Sequence, residues 1–238
     1  MQYKFIKTKN YTRIYEAIQH LKGLPKHVPQ LGIAYGKYGI GKSLALEKIA
    51  LEENAILFEA MPGWTLPVFL KTLCEELEVP TVGTTPTKID NILRSLNQQA
   101  RIIIIDEIDR LLTSKTKDIV DGIRYIHDNS EAIVLVVGMD NAFVKLKQID
   151  DAFESRLTVK IRLDKTAKED IEDFCSNSEV KITDDLINYF AKKHPNLRYI
   201  KVFIENLERY CEINDIEVAD LKVFKASKVE DLDGKQHS

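Results

Sequence analysis

The sequence predicts an α/β fold: a parallel sheet with flanking helices over residues 1–163, a small all-α domain over 164–222 and a polar tail over 223–238. Three observations predict it. A glycine-rich turn at 36–43 lies between an apolar run and a helical pattern. Four consecutive isoleucines, Ile102 to Ile105, end in two acids. Strand-like runs alternate with helical stripes up to Leu163 and then stop, the pattern of a sheet wrapped by helices.

The elements follow in order. Ile14, Ile18 and Leu21 share one face of a helix over 11–22. Leu31 to Tyr35 is the apolar strand that feeds the glycine turn, and Leu44 to Leu51 is the helix that leaves it. Ala55 to Phe58 is a second strand. Leu66, Leu70, Leu73 and Leu77 stripe a helix over 65–77, and VPTVGTTPT over 79–87 is a loop. Thr85 caps the next helix, with Pro86 at its first position. The isoleucine run is a fully buried strand beside the Leu31 strand. A helix over 117–128, a strand over 133–137 and a last strand over 158–163 complete the sheet region. Beyond it, Thr166-Ala167-Lys168-Glu169 forms a capping box. Thr183 opens a helix with Leu186, Ile187 and Phe190 inward, and a third helix runs from Leu197 to Cys211. The tail from Lys228 onward is polar and expected to fray.

Composition sets bounds. The chain of 238 residues is 44% hydrophobic and 30% charged, as in soluble globular domains. It has no apolar run near the roughly 20 residues that span a bilayer, and MQYKFIKTKN lacks the apolar core of a secretion signal. Cys74, Cys175 and Cys211 are widely spaced and in no metal-like pair. They read as reduced thiols of a cytoplasmic protein without membrane attachment. Net charge is −3 and uneven: residues 164–238 hold 17 acids and 12 bases, residues 1–163 hold 20 acids and 22 bases. The first part can therefore present a basic face to nucleic acid, although the balance does not demand one.

Gly36, four variable residues and Gly41-Lys42-Ser43 have the spacing of a phosphate-binding loop. Backbone N–H groups of such a loop, aided by the positive end of the following helix, hold phosphates without a bulky cation at each charge. The expected nucleotide contacts are Gly36, Lys37, Tyr38, Gly39, Ile40, Gly41, Lys42, Ser43 and Leu44. Lys42 is expected to reach the β- and γ-phosphates of ATP, and Ser43 to bind Mg²⁺ together with Asp106. A plain glycine turn before a helix would not need Lys42-Ser43. Glu107 follows Asp106 and can polarise an attacking water, since phosphoryl transfer rests on positioning and charge rather than covalent chemistry. The two acids also suit a helix start, and the roles are compatible. Arg156 in DAFESRL and Arg198 in HPNLRYI are plain surface arginines if taken alone. Their order after the two acids makes them candidates for charge stabilisation at the γ-phosphate.

The elements GKYGIGKS, IIIIDEIDRL, VLVVGMDN, DAFESRLTVKIRL and HPNLRYIKVFIENL resemble, in order and wording, the AAA+ class. Within it they are similar to the target-selecting ATPases of DNA transposons, the MuB/TnsC/TniB type. The likeness covers about residues 5–213, including FIKTKNYTRIYEAIQHLKG ahead of the loop. The Walker motifs specify only the superfamily. The DE-x-DRL phrase, the VLVVGMDN strand end and the compact lid point to the transposition branch. The resemblance implies an ATP-dependent homo-oligomer, ring or helical filament, that coats double-stranded DNA, recruits a transposase and leaves when ATP is hydrolysed. It implies Walker A at Gly36, Gly41, Lys42 and Ser43, Walker B at Asp106 and Glu107, an arginine finger at Arg156 and a sensor-2 arginine at Arg198. At sensor 1 the sequence departs: Met139 stands where a small polar residue is usual. Asp140 or Asn141 could substitute, and Asn141 is the better candidate because its amide can hydrogen-bond water or phosphate. The departure bears on hydrolysis rate rather than on binding.

No separate N-terminal DNA-binding domain is expected, which assigns DNA contact to the ATPase domain. Trp64, Lys71, Thr84, Lys88 and Arg94 are the candidates, with Lys115 and Lys117 of similar standing. A few such contacts per subunit, repeated along an assembly, can follow a phosphate backbone without reading sequence. Against this, the lysines and arginine also fit solvated helix faces, and Trp64 fits a half-buried core position. A helicase loader or an insertion-element helper ATPase would share these motifs. A small-molecule P-loop kinase would act without self-assembly, and a nucleotide switch would bind ATP but hardly hydrolyse it.

Overall fold

The computed structural model describes residues 5–233, and its chain divides into two compact units. One comprises residues 13–36 and 43–163. The other comprises, of the described residues, 5–12, 37–42 and 164–233.

The first unit carries a five-stranded parallel sheet. Its strands are β1 (Leu31–Tyr35), β2 (Ile56–Glu59), β3 (Ile102–Asp106), β4 (Ile133–Gly138) and β5 (Leu157–Arg162), in the order β2-β3-β4-β1-β5. The helices of this unit are α1 (Lys9–Gly23) from Arg13 on, α2 (Lys42–Glu53) from Ser43 on, α3 (Leu66–Glu76), α4 (Thr85–Gln98), α5 (Lys117–Asp128), α6 (Ala142–Ile149) and α7 (Asp151–Ser155). Every residue of β3 and β4 is buried, because parallel strands covered on both faces need apolar side chains on both. Ile103 and Ile105 pair with Val134 and Val136. Fully burying one such side chain stabilises by about 1.5–3 kcal/mol. Helix α5 turns Ile119, Val120, Ile123 and Ile126 inward, a helical stripe that its sequence spells out.

Several expectations need correction. β4 lies between β1 and β3, so the isoleucine strand is not beside the strand that feeds the glycine turn. Thr84, not Thr85, caps α4, accepting the Thr87 N–H on its hydroxyl at 3.5 Å. Helices α6 and α7 and a 3₁₀ turn over Ile108–Leu111 fill stretches where no element was expected.

The second unit holds α8 (Lys168–Cys175), α9 (Asp184–Lys193), α10 (Leu197–Ile213) and α11 (Leu221–Ser227). It is not purely helical: β6 (Lys181–Ile182) and β7 (Val218–Ala219) form a short parallel ladder. Its core includes the rings of Phe190, Phe203 and Phe224, with centroids 6.0, 5.2 and 5.5 Å apart. Phe224 is fully buried, and a 3₁₀ turn follows over Val229–Asp233. The packed part thus continues past the boundary drawn at 222, because an apolar face in a charged stretch still finds a core. Residues 234–238 of the expected tail lie outside the described residues. Helix α8 starts one residue later than the capping box implied: Asp170 accepts the Ala167 N–H at 3.2 Å, while the Thr166 hydroxyl is buried without a partner. All three cysteines are buried free thiols, and burial pushes Cys175 up to about 12. Among the described residues no helix is long and apolar enough to cross a membrane.

Candidate functional site

Asp106 ends β3 and is 5% exposed. Its Oδ2 accepts the Ser43 hydroxyl at 2.8 Å, and its Oδ1 accepts the N–H of Glu107 at 2.8 Å. The reach across the intervening β4 is made by Ser43, which stands in the first turn of α2. This hydroxyl–carboxylate pair is a hard-oxygen donor set of the sparse kind that Mg²⁺ uses, one or two protein oxygens with phosphate and water completing the shell. Among the described residues no cluster of His, Cys, Asp and Glu could form an all-protein metal cage.

Glu107 has φ 56° and ψ 35°, a left-handed conformation uncommon for a residue with a side chain. The backbone bends there, between β3 and the 3₁₀ turn. Its carboxylate lies 3.9 Å from Arg110 Nε, and Arg110 also donates to Glu59 Oε1 at 3.0 Å and to the Ala60 carbonyl at 2.7 Å. Arg110 thus ties the ends of β2 and β3 together.

The end of β4 is organised by a residue that the sequence left unassigned. Asp109 accepts the Met139 N–H on Oδ2 at 2.6 Å, and its Oδ1 is buried without a partner. Gly138 is required by this approach: a Cβ there would stand 2.5 Å from Asp109 Oδ2 and 2.6 Å from the Ala142 Cβ. The Gly138 carbonyl accepts the Gly36 N–H at 3.2 Å, which links the strand end to the start of the glycine loop. Asn141 is exposed at the N-cap of α6 and makes no side-chain cap bond. The DE-x-D spacing was the signal for Asp109: it puts a third acid one short turn beyond Asp106.

Residues 37–42 belong to the second unit. Lys42 Nζ donates to the Lys37 carbonyl at 2.7 Å. Ile40 is buried, whereas Tyr38 is exposed. Gly39 has φ +73°, and a Cβ there would stand 2.1 Å from Asn196 Oδ1. Asn196 caps α10 by accepting the N–H groups of Arg198 and Tyr199, and the Leu197 N–H donates to the Gly39 carbonyl at 2.8 Å. Arg198 is exposed in the first turn of that helix. In the first unit Leu44 is exposed in α2, and Arg156 follows α7 and donates through Nε to Asp128 Oδ2 at 2.7 Å.

The DNA candidates separate. Trp64 is removed: it is 5% exposed, its ring packing against Phe58 and Phe69 at 6.2 and 5.8 Å. Its indole is part of the core and unavailable to a phosphate backbone. Lys71 is exposed and pairs with Glu75 one turn on. Thr84 is the exposed cap of α4, Lys88 is half-buried and Arg94 exposed. At 100° per residue Lys88 and Arg94 fall on different faces of α4. Lys115 and Lys117 are exposed at the start of α5. A separate cleft of about 700 Å³ lies where β1, β3 and β4 begin, lined by Lys22, Lys26, Arg101, His127 and Asp128 among others. It is at the opposite end of the strands from Asp106 and Gly138.

The sheet, the glycine loop at the end of β1 and the Ser43–Asp106 pair define a P-loop fold of the AAA+ kind. The chain belongs to the AAA family, ATPases associated with various cellular activities, whose profile matches residues 33–165. No curated protein sequence matches it significantly. Among solved structures it is similar to the Aeropyrum pernix ORC1 protein in complex with DNA (TM-score 0.63, 16% identity, 93% of this chain and 64% of that one). It is also similar to the ORC2 protein of the same organism in its ADPNP–ADP complexes (0.72, 13%, 99% and 70%). Domain III of the Thermotoga maritima replication initiation protein DnaA matches at 0.59 and 18%, over 94% of this chain and 92% of that one. The chain thus spans 64% of the ORC1 protein's length. At these identities the likeness is one of fold.

Proposed function

We propose that the protein is an ATP-fuelled assembly factor. It forms an oligomer on double-stranded DNA, recruits a transposase and disassembles on hydrolysis. The observation that carries the reading is the Ser43–Asp106 pair at 2.8 Å with Glu107 next in the chain. Backbone N–H groups of 36–44 hold the phosphates, and Lys42 leaves the Lys37 carbonyl to meet the β- and γ-oxygens. Ser43 and Asp106 would hold Mg²⁺, which when bound neutralises charge on the transferring phosphoryl group. Glu107 orients the attacking water. Arg156 of a neighbouring subunit and Arg198 of the lid stabilise charge at the γ-phosphate. Duplex contact is electrostatic and sequence-independent, with Lys71, Thr84, Lys88 and Arg94 as candidates.

The transposase as client is supported by the wording of the motifs. A second reading, a loader of a replicative helicase, is favoured by the fold likeness to origin-recognition and initiator proteins. Electron microscopy with duplex DNA and a slowly hydrolysed ATP analogue tests the assembly: rings or filaments are expected, and a monomer under all nucleotide conditions refutes it. Lys42→Ala should abolish assembly, and Glu107→Gln should give a long-lived ATP-bound complex. Capture of a transposase or of a helicase by that complex separates the two clients.

A further inference from the structure

We propose that Asp128 is a positioning residue for Arg156, fixing its guanidinium so that one edge stays available to a neighbouring subunit. The proposal rests on the reading of Arg156 as the residue that completes the neighbour's site.

Asp128 is the last residue of α5 and is 25% exposed. Its two oxygens face two different partners. Oδ2 accepts Arg156 Nε at 2.7 Å, and Oδ1 faces His127 Nδ1 at 3.1 Å. His127 is buried, and burial holds its pKa below the usual value despite the adjacent carboxylate. With its proton on Nδ1 the imidazole donates to Oδ1, so each oxygen of Asp128 has its own partner.

The arginine is held by its near end. Besides Nε, only Nη1 is engaged, by long contacts of 3.4 Å to the Ala152 carbonyl and the Ser155 hydroxyl. Nη2 makes no hydrogen bond among the described residues. A guanidinium is a rigid planar fork, so fixing Nε fixes the direction of Nη2 without consuming it. The side chain remains 38% exposed.

A second ion pair of reversed polarity steadies the same region. Arg124, one turn earlier on α5, donates Nε to Asp150 Oδ2 at 3.1 Å, and Asp150 Oδ1 caps α7 by accepting the Phe153 N–H at 3.0 Å. Helix α5 thus holds both ends of the short α7: its start through Arg124 and the residue after its end through Asp128. The Arg124 pair engages the residue that caps α7, whereas the Asp128 pair engages the guanidinium itself. Catalytic groups need this kind of support, because a displacement of about 1 Å can cost on the order of a hundredfold in rate.

The test compares ATP turnover of assembled protein for parent, Asp128→Ala, Asp128→Asn and Arg156→Ala. Asp128→Ala is expected to lower kcat tenfold or more with KM for ATP unchanged, and Asp128→Asn, which keeps an oxygen facing Nε, to retain part of the rate. Adding Asp128→Ala to Arg156→Ala should cost nothing further. Mixing Asp128→Ala chains with Glu107→Gln chains should restore turnover, because each Glu107→Gln chain offers a correctly held Arg156 to a neighbour with an intact Glu107. A general loss of folding would not be rescued this way. Parental turnover in both Asp128 variants, or no restoration on mixing, overturns the proposal. Parental turnover in Arg156→Ala instead overturns the finger reading beneath it.

Discussion

Ser43 and Asp106 are hydrogen-bonded at 2.8 Å although the strands they belong with, β1 and β3, are separated by β4. The contact joins the first turn of the helix after the glycine loop to the buried end of the isoleucine strand. Its carboxylate oxygen has left water, so a missing donor leaves it undercompensated. Ser43→Ala is therefore expected to lower stability by about 1 kcal/mol and to move Mg²⁺-dependent ATP binding to higher magnesium. Thermal unfolding and a magnesium titration with a fluorescent ATP analogue measure the two effects.

Gly39 holds a left-handed conformation against the side chain that caps α10. Gly39→Ala is expected to cost about 1–2 kcal/mol for the conformation alone, and more for the collision with Asn196. Asn196→Ala by itself removes a cap worth about 1 kcal/mol. In the double variant the two losses should sum to less than their separate values, since removing the amide relieves the collision. Urea midpoints at unchanged slope are the measurement.

Trp64 and the basic candidates should behave oppositely. Trp64→Ala empties a buried ring site and is expected to destabilise by about 3–5 kcal/mol. Lys71→Ala and Arg94→Ala should change stability by less than about 0.5 kcal/mol. If they face DNA, each should weaken binding across all sequences and flatten its salt dependence. Melting curves and duplex binding at several salt concentrations separate the two kinds of residue.

Acid should loosen the second unit through Glu230. Burial alone would raise its pKa, but hydrogen bonds from Lys225, Tyr189 and His194 bring it down to about 2. A folded value below the unfolded one gives stability that is present above the unfolded pKa and lost as pH falls toward the folded one. The loss should therefore run from about pH 4.5 down to about pH 2. Glu230→Gln should weaken the protein at neutral pH and remove this acid-side slope, as read from unfolding curves across that range.

The sequence by itself determined the elements whose signal is local. Four isoleucines in a row leave no choice but a strand buried on both faces, and the stripe of α5 gave that helix from Lys117 to Asp128. The glycine loop was legible because phosphate binding needs glycine, lysine and serine at fixed spacing along the chain. Two-residue strands such as β6 and β7 are too short to show a period, and α6 and α7 are too short and mixed in polarity to announce themselves. Which strand lies between β1 and β3, that Trp64 is core, that Thr84 rather than Thr85 caps α4, and that Asp109 meets the Met139 N–H and Asp128 the Arg156 guanidinium were decided only by tertiary structure. Local pattern reports how a residue relates to the next few along the chain. Strand order, burial of a lone aromatic and the partner of a carboxylate depend on residues far away in sequence, which only the packed chain brings within reach.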